Sequence, residues 1–413
     1  MHSVIQLNML QSAGIGAAAL IVGIGLTHKL KFLQKFCIPS PVSGGLLFSV
    51  ISLLFYTVLK TDFEFDNTLQ NVFMLAFYTS VGFQTDIKAI KKGGRPLVCL
   101  LVVLAFLMFL QNLLPIGIAK AFGTNPLVGM AAGSISMAGG HGTAGGFSPL
   151  LENMGFSSAL TVSMACATFG LIAGSVIGGP ISAQLIRRRL KKGTSPTPSA
   201  GAEVAENADS QQVPTSPLDA KKDKDDELKK YAHASYTIII VMALGVVMSS
   251  LLQRTGITAP TYFGALITAA CIRMVCDATP CRKYLELNEI VNLGYISLSV
   301  FLAMAMVSLK LWQLEDLAVP LVVMLFSQVA MMALFIWFVA FPLLGKNYDS
   351  AVLCSGICGF GLGATPNAMA NMSAVCDKFG YTVRPFIIVP IVGAMFVDMM
   401  NTGIITLFLN WLK

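Results

Sequence analysis

Long apolar runs separated by short polar connections make up almost the whole chain. Ten of these runs approach or exceed the roughly 20 residues that a helix needs to cross the apolar core of a bilayer. They cover residues 9–26, 42–59, 69–84, 97–119, 157–186, 234–252, 259–276, 289–309, 317–344 and 385–411. The pattern therefore predicts an all-α integral membrane protein with ten transmembrane helices.

The composition also indicates a lipid environment. Of the 413 residues, 55% are hydrophobic and 12% are charged, whereas a soluble domain has about 25% charged residues. The net charge is +7, but the basic residues are scattered between apolar runs, so no nucleic-acid partner is predicted. The nine cysteines form no C-x-x-C pair, which argues against a zinc site and a disulfide framework.

The distribution of Lys and Arg predicts the orientation of the chain. If the N-terminus is outside, 23 of the 28 Lys and Arg residues lie on the inside and five lie outside. An excess of positive residues in cytoplasmic loops is the usual pattern in membrane proteins. We therefore expect both termini to be extracytoplasmic.

A polar segment over residues 187–233 separates two groups of five runs. It is rich in Ser, Pro, Ala, Asp and Lys and lacks apolar periodicity, which is typical of a flexible linker, here a cytoplasmic one. The flanking parts, residues 1–186 and 234–413, are predicted to be repeats. Because each has an odd number of spans, the second is expected to be inverted, as in many transporters. A shift of 222 positions places Asn125 on Asn347, Ile135 on Ile357, Gly139 on Gly361 and Thr143 on Thr365.

Glycines interrupt an apolar stretch in each repeat, over residues 125–150 and 347–371. Glycine disfavours a continuous helix, and backbone freed at membrane depth must be buried in protein or line a water-filled cavity. We expect two re-entrant hairpins whose tips meet. The free N–H groups of a broken helix suit a carboxylate, and its free carbonyl groups suit Na⁺. Thr143 and Thr365, at matching positions, are candidates for contact with ion or substrate.

Few ionisable side chains lie within the apolar runs, where each is costly. Asp398 lies in the last run, and Asn401 and Thr402 follow it on the same helix face. Their oxygens suit Na⁺, while the carboxylate alternatively suits an ammonium group. His141 is a candidate donor to an anionic substrate. It has no second His or Cys at ligand spacing, so no metal other than sodium is predicted.

These features predict a secondary transporter of a small anionic solute coupled to a cation, and not an enzyme. Two alternatives remain. A channel also uses half-membrane hairpins, but it conducts downhill without saturable coupling. An intramembrane protease needs a serine and a histidine base, and no G-x-S-x-G motif accompanies His141.

Seven short motifs follow one another along the chain outside the linker. They are IPSPVSGGL (38–46), AGGHGT (138–143), MACATFG (164–170), SLSVFLAM (297–304), KNYD (346–349), GFGLGATP (359–366) and VDMMN (397–401). In composition and order these motifs resemble the bacterial glutamate:sodium symporters. Phe147 stands where that family commonly has tryptophan, and the linker is longer than usual.

The resemblance implies sodium-coupled uptake of L-glutamate across the bacterial inner membrane, with Na⁺ as coupling ion and no cofactor. It also implies a homodimer and an elevator-like movement of the domain that bears the hairpins. A carrier of another small carboxylate such as citrate, coupled to sodium or protons, is the main alternative. Carried onto this chain, the substrate site comprises Gly139, Gly140, His141, Gly142, Thr143, Gly361, Gly363, Ala364, Thr365 and Asn367. The expected sodium site comprises Asp398, Asn401, Thr402 and Thr365.

Overall fold

The computed structural model describes residues 3–85, 87–189, 217–256 and 260–412, and most of them are helical. Within these residues, eight helices are long and apolar enough to cross a membrane, and they coincide with eight of the ten predicted segments. The predicted segment 69–84 forms a helix of 16 residues. The predicted segment 385–411 forms two helices that meet at Phe396, so it is not one continuous span.

The first half of the chain contains two strands and eight α-helices among the described residues. They are β1 (Ser3–Leu7), α1 (Met9–Lys29), α2 (Lys31–Lys35), α3 (Ser40–Val58), β2 (Thr61–Phe65), α4 (Thr68–Phe83), α5 (Ile87–Ala121), α6 (Pro126–Ala131), α7 (Gly140–Asn153) and α8 (Ala159–Arg189).

The second half consists of α-helices with short 3₁₀ and π-helical segments. The α-helices are α9 (Pro217–Arg254), α10 (Thr261–Ala278), α11 (Leu287–Val307), α12 (Ala318–Phe335), α13 (Phe341–Leu343), α14 (Tyr348–Gly361), α15 (Thr365–Phe379), α16 (Arg384–Met395) and α17 (Val397–Trp411). The segments Pro280–Tyr284 and Leu311–Leu317 are 3₁₀ helices, and Ile336–Ala340 is a π-helix.

Helix α9 begins inside the segment that was predicted to be a linker. It starts at Pro217, whereas the apolar run begins at residue 234. The intervening sequence places Asp225 four residues before Lys229 and Asp226 four residues before Lys230, a spacing that stabilises helices. A search for apolar runs does not detect such a polar extension. Residues 190–216 of the predicted linker lie outside the described residues.

A two-stranded sheet is the exception to the all-α prediction. Strands β1 and β2 pair in parallel, with Ser3 opposite Thr61 and Leu7 opposite Phe65. Each strand has five residues, too few to register in a search for runs long enough to span a bilayer. The sheet joins the segment before α1 to the connection that follows α3.

The long helices pack in two layers. In the first layer, α1 packs on α3 and α11, α4 packs on α10 and α11, and α9 packs on α10. In the second layer, α8 packs on α7, α14 and α15, and α5 packs on α6, α12 and α17. Contacts between the layers include those of α11 with α7 and of α4 with α16.

Two glycines allow α1 and α3 to cross at close range. A Cβ atom at Gly44 would overlap the carbonyl oxygen of Ala19, and one at Gly23 would overlap that of Ser40. Because both obstacles are backbone atoms, the two helices must separate to admit a side chain. This crossing is therefore a point at which the first layer is sensitive to substitution.

We expect Gly44→Ala to lower the free energy of unfolding by about 1–3 kcal/mol, the usual cost of overpacking a tight contact. The measurement is the thermal midpoint of the purified protein in detergent. Gly25→Ala is the matched control, because Gly25 lies on α1 with no atom within 4 Å of a Cβ. Equal midpoints for the two variants would show that the crossing tolerates a methyl group.

Candidate functional site

Both glycine-broken stretches fold as a helix, a break and a second helix. The first break covers residues 132–139, between α6 and α7, and the second covers residues 362–364, between α14 and α15. Asn125 Oδ1 accepts a hydrogen bond from the N–H of Leu127 at 2.9 Å at the start of α6. Asn347 caps the start of α14 in the same way, so the two asparagines matched by the repeat alignment have the same local role.

The two breaks are in contact at their tips. Gly140 has a φ of +59°, in the left-handed region that favours glycine. The carbonyl oxygen of Gly363 lies 2.8 Å from the position that a Cβ at Gly140 would occupy. The two tips therefore approach each other through backbone atoms, with no room for a side chain between them.

A cavity of about 590 Å³ lies where the tips face the first layer. The cavity is lined by helices α4 and α11, the two tips, the junction of α16 with α17, and the residues Pro39 and Leu171. Aromatic residues that the sequence did not single out line it as well, namely Phe77, Tyr78, Tyr295 and Phe360. The predicted site residues on its wall are Gly139, Gly140, His141, Gly142, Thr143, Gly363, Ala364, Thr365 and Asp398.

Two helices begin at this cavity. Helix α7 starts at Gly140 and α15 starts at Thr365, and neither has a side-chain cap. Among the described residues, no backbone carbonyl accepts a hydrogen bond from the N–H groups of Gly140, His141 or Gly142. Unpaired N–H groups and the positive end of a helix dipole together bind anions. The cavity thus has two places suited to a carboxylate.

Hydrogen bonds fix two side chains at the first tip. Tyr78 donates its hydroxyl hydrogen to Thr143 Oγ1 at 3.4 Å. His141 Nε2 lies 3.0 Å from Thr168 Oγ1, which itself donates to the carbonyl oxygen of Met164. The hydroxyl of Thr168 therefore accepts from His141, which places the hydrogen on Nε2. The backbone N–H of His141 is therefore the hydrogen-bond donor that His141 offers to the cavity.

Asp398 supplies the only carboxylate on the described wall of the cavity. It lies in the first turn of α17, directly after the junction at Phe396. Among the described residues, none donates a hydrogen bond to its carboxylate. Tyr78 lines the same cavity, and its ring stacks on that of Tyr262 with the centroids 3.8 Å apart. Asp398 is thus available to a cation.

Two predicted substrate-binding residues lie behind the tips and do not line the cavity. The carbonyl oxygen of Gly361 accepts a hydrogen bond from Gln111 Nε2 at 2.6 Å. Asn367 is fully buried, and its Nδ2 donates to the carbonyl oxygen of Leu171 at 2.8 Å. The first contact satisfies a carbonyl group at the second break, and the second contact joins the start of α15 to α8.

Two predicted sodium ligands are also absent from the cavity wall. Asn401 and Thr402 are fully buried, and Asn401 Nδ2 donates to the carbonyl oxygen of Ser134 at 3.0 Å. The side-chain oxygens of both residues have no hydrogen-bond partner. Buried oxygens without a partner are costly, so this pair is available to a bound cation.

Buried amide side chains from α5 and α12 support the first break, and sequence reasoning missed them. Gln328 Nε2 donates to the carbonyl oxygens of Gln111 at 2.7 Å and Ala132 at 3.2 Å. Asn112 Nδ2 donates to Ser134 Oγ at 2.9 Å, and Asn112 Oδ1 accepts from the N–H of Ser134 at 3.0 Å. The available signal was the presence of amides in otherwise apolar runs, since each is costly in a membrane span without a partner.

Known proteins are similar to this chain over nearly its whole length. A model of the family described as Sodium/glutamate symporter matches residues 5–381. The sodium/glutamate symporter of Escherichia coli (strain K12) is 38% identical over 391 residues, which are 94% of this chain and 94% of that protein, and that of Shigella flexneri matches equally. The sodium/glutamate symporter of Haemophilus influenzae is 36% identical over 396 residues, which are 96% of this chain and 95% of that protein. The chain therefore belongs to the sodium/glutamate symporter family.

Proposed function

We propose that this protein is a symporter that couples the inward movement of Na⁺ to the uptake of L-glutamate across the bacterial inner membrane. The observation that carries the proposal is the meeting of two uncapped helix N-termini and one free carboxylate at a single cavity. L-Glutamate has two carboxylates and one ammonium group, so its charges match these three features. Such transport needs no enzymatic chemistry and no cofactor, and Na⁺ is the coupling ion.

In this proposal the backbone N–H groups of Gly140, His141 and Gly142 bind one carboxylate of the substrate, and those of Gly363, Thr365 and Asn367 bind the other, since no backbone carbonyl of the described residues accepts from them. The unpaired oxygens of Asn401 and Thr402, with Thr365, are ligands for Na⁺. Asp398 pairs with one of the two cations, the sodium ion or the substrate ammonium. By linkage, Na⁺ must tighten glutamate binding by the same factor as glutamate tightens Na⁺ binding.

We further propose ten membrane crossings in two inverted repeats, each with a re-entrant hairpin. Reciprocal packing supports this arrangement, since α3 packs on α11 as α10 packs on α4, and α1 packs on α11 as α9 packs on α4. The anion-binding tips belong to the second layer, and the cavity lies between the layers. An elevator-like sliding of the second layer against the first would therefore present the tips to opposite sides of the membrane in turn.

The cavity wall includes Pro39 and Gln84, which adjoin connections that the Lys and Arg distribution places in the cytoplasm. We therefore propose that this conformation faces inward, with both termini extracytoplasmic and the segment 187–233 cytoplasmic. The active form is proposed to be a homodimer, which the mass of the purified protein in nanodiscs would test.

The test is uptake of labelled L-glutamate into proteoliposomes under an imposed inward Na⁺ gradient. We expect accumulation with Na⁺ and none when K⁺ replaces it. Unlabelled citrate and other carboxylates serve as competitors, and strong competition by citrate with weak competition by L-glutamate would reassign the substrate. Sodium-independent, non-saturable flux would indicate a channel and contradict symport.

We expect Thr168→Val to raise the KM for L-glutamate about fivefold, because it removes a hydrogen bond worth about 1 kcal/mol that holds the first tip through His141. Uptake against glutamate concentration at saturating Na⁺ measures the change. Thr168→Ser keeps the hydroxyl and is the matched control, with a KM close to that of the wild type. Equal KM values for the serine and valine variants would show that the hydroxyl has no role in binding.

A further inference from the structure

We propose that Asp398 binds the ammonium group of the substrate and not the coupling ion, so that the site selects dicarboxylates that carry an amino group. This rests on the proposed function, because it decides between the two cations in that same site. In this assignment Asp398 is a residue that determines substrate specificity.

The charge balance of the cavity supports this assignment. Its described wall contains no Lys or Arg, and the imidazole of His141 already donates to Thr168. The two carboxylates of the substrate thus depend on the N-termini of α7 and α15, each equivalent to about half a positive charge. Asp398 is the one full charge on the wall, and its counterpart on L-glutamate is the ammonium group.

Asp398 differs in its access to the cavity from two of the oxygens with which it was expected to share a sodium ion. Asp398 lines the cavity, whereas Asn401 and Thr402 are fully buried in the interior and do not line it. The hydrogen bond from Asn401 to Ser134 keeps its side chain in that interior. Transporters bind Na⁺ with several oxygens at once, including those of unwound backbone. In the interior, Asn401 Oδ1 and Thr402 Oγ1 are two oxygens without a hydrogen-bond partner, and they can serve as sodium ligands without Asp398.

The surroundings of Asp398 suit an ammonium group. Phe77, Tyr78, Tyr295 and Phe360 line the same cavity, and aromatic faces attract ammonium groups. The hydroxyl of Tyr78 donates its hydrogen to Thr143, so its oxygen keeps a lone pair for a donor. Since Tyr78 and Asp398 both line the cavity, the oxygens of both side chains are acceptors available to ammonium hydrogens.

The experiment compares L-glutamate with glutarate, which lacks the amino group, on the purified full-length protein in proteoliposomes. Binding of each labelled ligand is measured at saturating Na⁺ in the wild type and in Asp398→Asn. We expect the substitution to weaken L-glutamate binding at least about 30-fold, because it removes one partner of a desolvated charge pair. Glutarate has no ammonium group, so its binding should weaken less than about threefold. Na⁺ affinity, measured without substrate as the sodium-dependent rise in thermal midpoint, should change little.

Three results would overturn the proposal. A tenfold loss of Na⁺ affinity with an unchanged preference for L-glutamate would assign Asp398 to the ion. Equal weakening of both ligands would make Asp398 a structural residue. If the wild type itself shows no sodium-dependent binding of L-glutamate, the proposed function fails and this inference fails with it, whereas the first two results leave the proposed function intact.

Two further variants serve as controls for misfolding. Asp398→Glu keeps the charge and should retain the preference for L-glutamate at reduced affinity; loss of that preference in a folded Glu variant would contradict the proposal. Asp349→Asn makes the same chemical change outside the cavity, where Asp349 accepts a hydrogen bond from Thr382 at 2.6 Å. This control should keep the wild-type preference.

Discussion

Replacing Gly140 with alanine is expected to reduce sodium-driven uptake of L-glutamate on the order of 100-fold, for two reasons. The left-handed conformation costs a residue with a Cβ roughly 1–2 kcal/mol. The new methyl group would also lie 2.8 Å from the carbonyl oxygen of Gly363, and overpacking costs about 1–3 kcal/mol. Both penalties fall on the tip whose N–H groups are proposed to bind the substrate. Initial rates in proteoliposomes at matched protein density measure the loss.

Gly123→Ala separates the two causes. Gly123 has a φ of +67°, close to that of Gly140, but no atom lies within 4 Å of its Cβ position. This variant carries the conformational penalty without the contact between tips, and we expect it to retain most of the uptake. If the two variants lose activity equally, the close approach of the tips is not what limits transport.

Replacing Asn401 with leucine is expected to raise the dissociation constant for Na⁺ roughly tenfold or more, since an interaction with a charged group contributes about 1.5–3 kcal/mol. Leucine keeps the branching of the side chain with a larger volume, and it removes both the unpaired oxygen that is proposed to bind the ion and the donor to Ser134. The sodium-dependent rise in thermal midpoint without glutamate measures the change, with choline as the control cation. Glutamate uptake should then require higher Na⁺, because the two affinities are linked.

Asn401→Asp is the matched variant for this position. It keeps nearly the same volume and an oxygen ligand, adds a negative charge that favours a cation, and loses the N–H donation to Ser134. We expect it to hold Na⁺ better than the leucine variant. If aspartate and leucine weaken Na⁺ binding to the same extent, the amide acts by supporting the carbonyl of Ser134 and is not a ligand.

Much of the helical architecture was predictable because it depends on local composition. Eight of the ten predicted segments are membrane-length helices, and the breaks lie at residues 132–139 and 362–364, within the glycine-rich stretches. The resemblance to the glutamate:sodium symporters, based on motifs, is confirmed by the family match over residues 5–381. The parallel pairing of β1 with β2 was not predictable, because it depends on contacts between segments far apart in the chain.

The candidate site was predictable only as a set of residues. Gly140 and Gly363 were candidates from the sequence, but the contact between the two broken stretches at these residues depends on how the second layer packs. Asp398 and Asn401 were expected to act together because helical periodicity puts them on one face. In the structure Asp398 lines the cavity and Asn401 does not, a difference that helical periodicity does not predict.

The sequence by itself determined the family, the helical membrane architecture and the positions of the two breaks, because hydropathy, glycine content and motif order are properties of contiguous residues. Only the tertiary structure decided which oxygens face the cavity, which amides support the broken backbone, and that Tyr78 adjoins Thr143. The physical reason is that these contacts join residues from different helices, and close packing, which chain spacing does not specify, selects one arrangement among many.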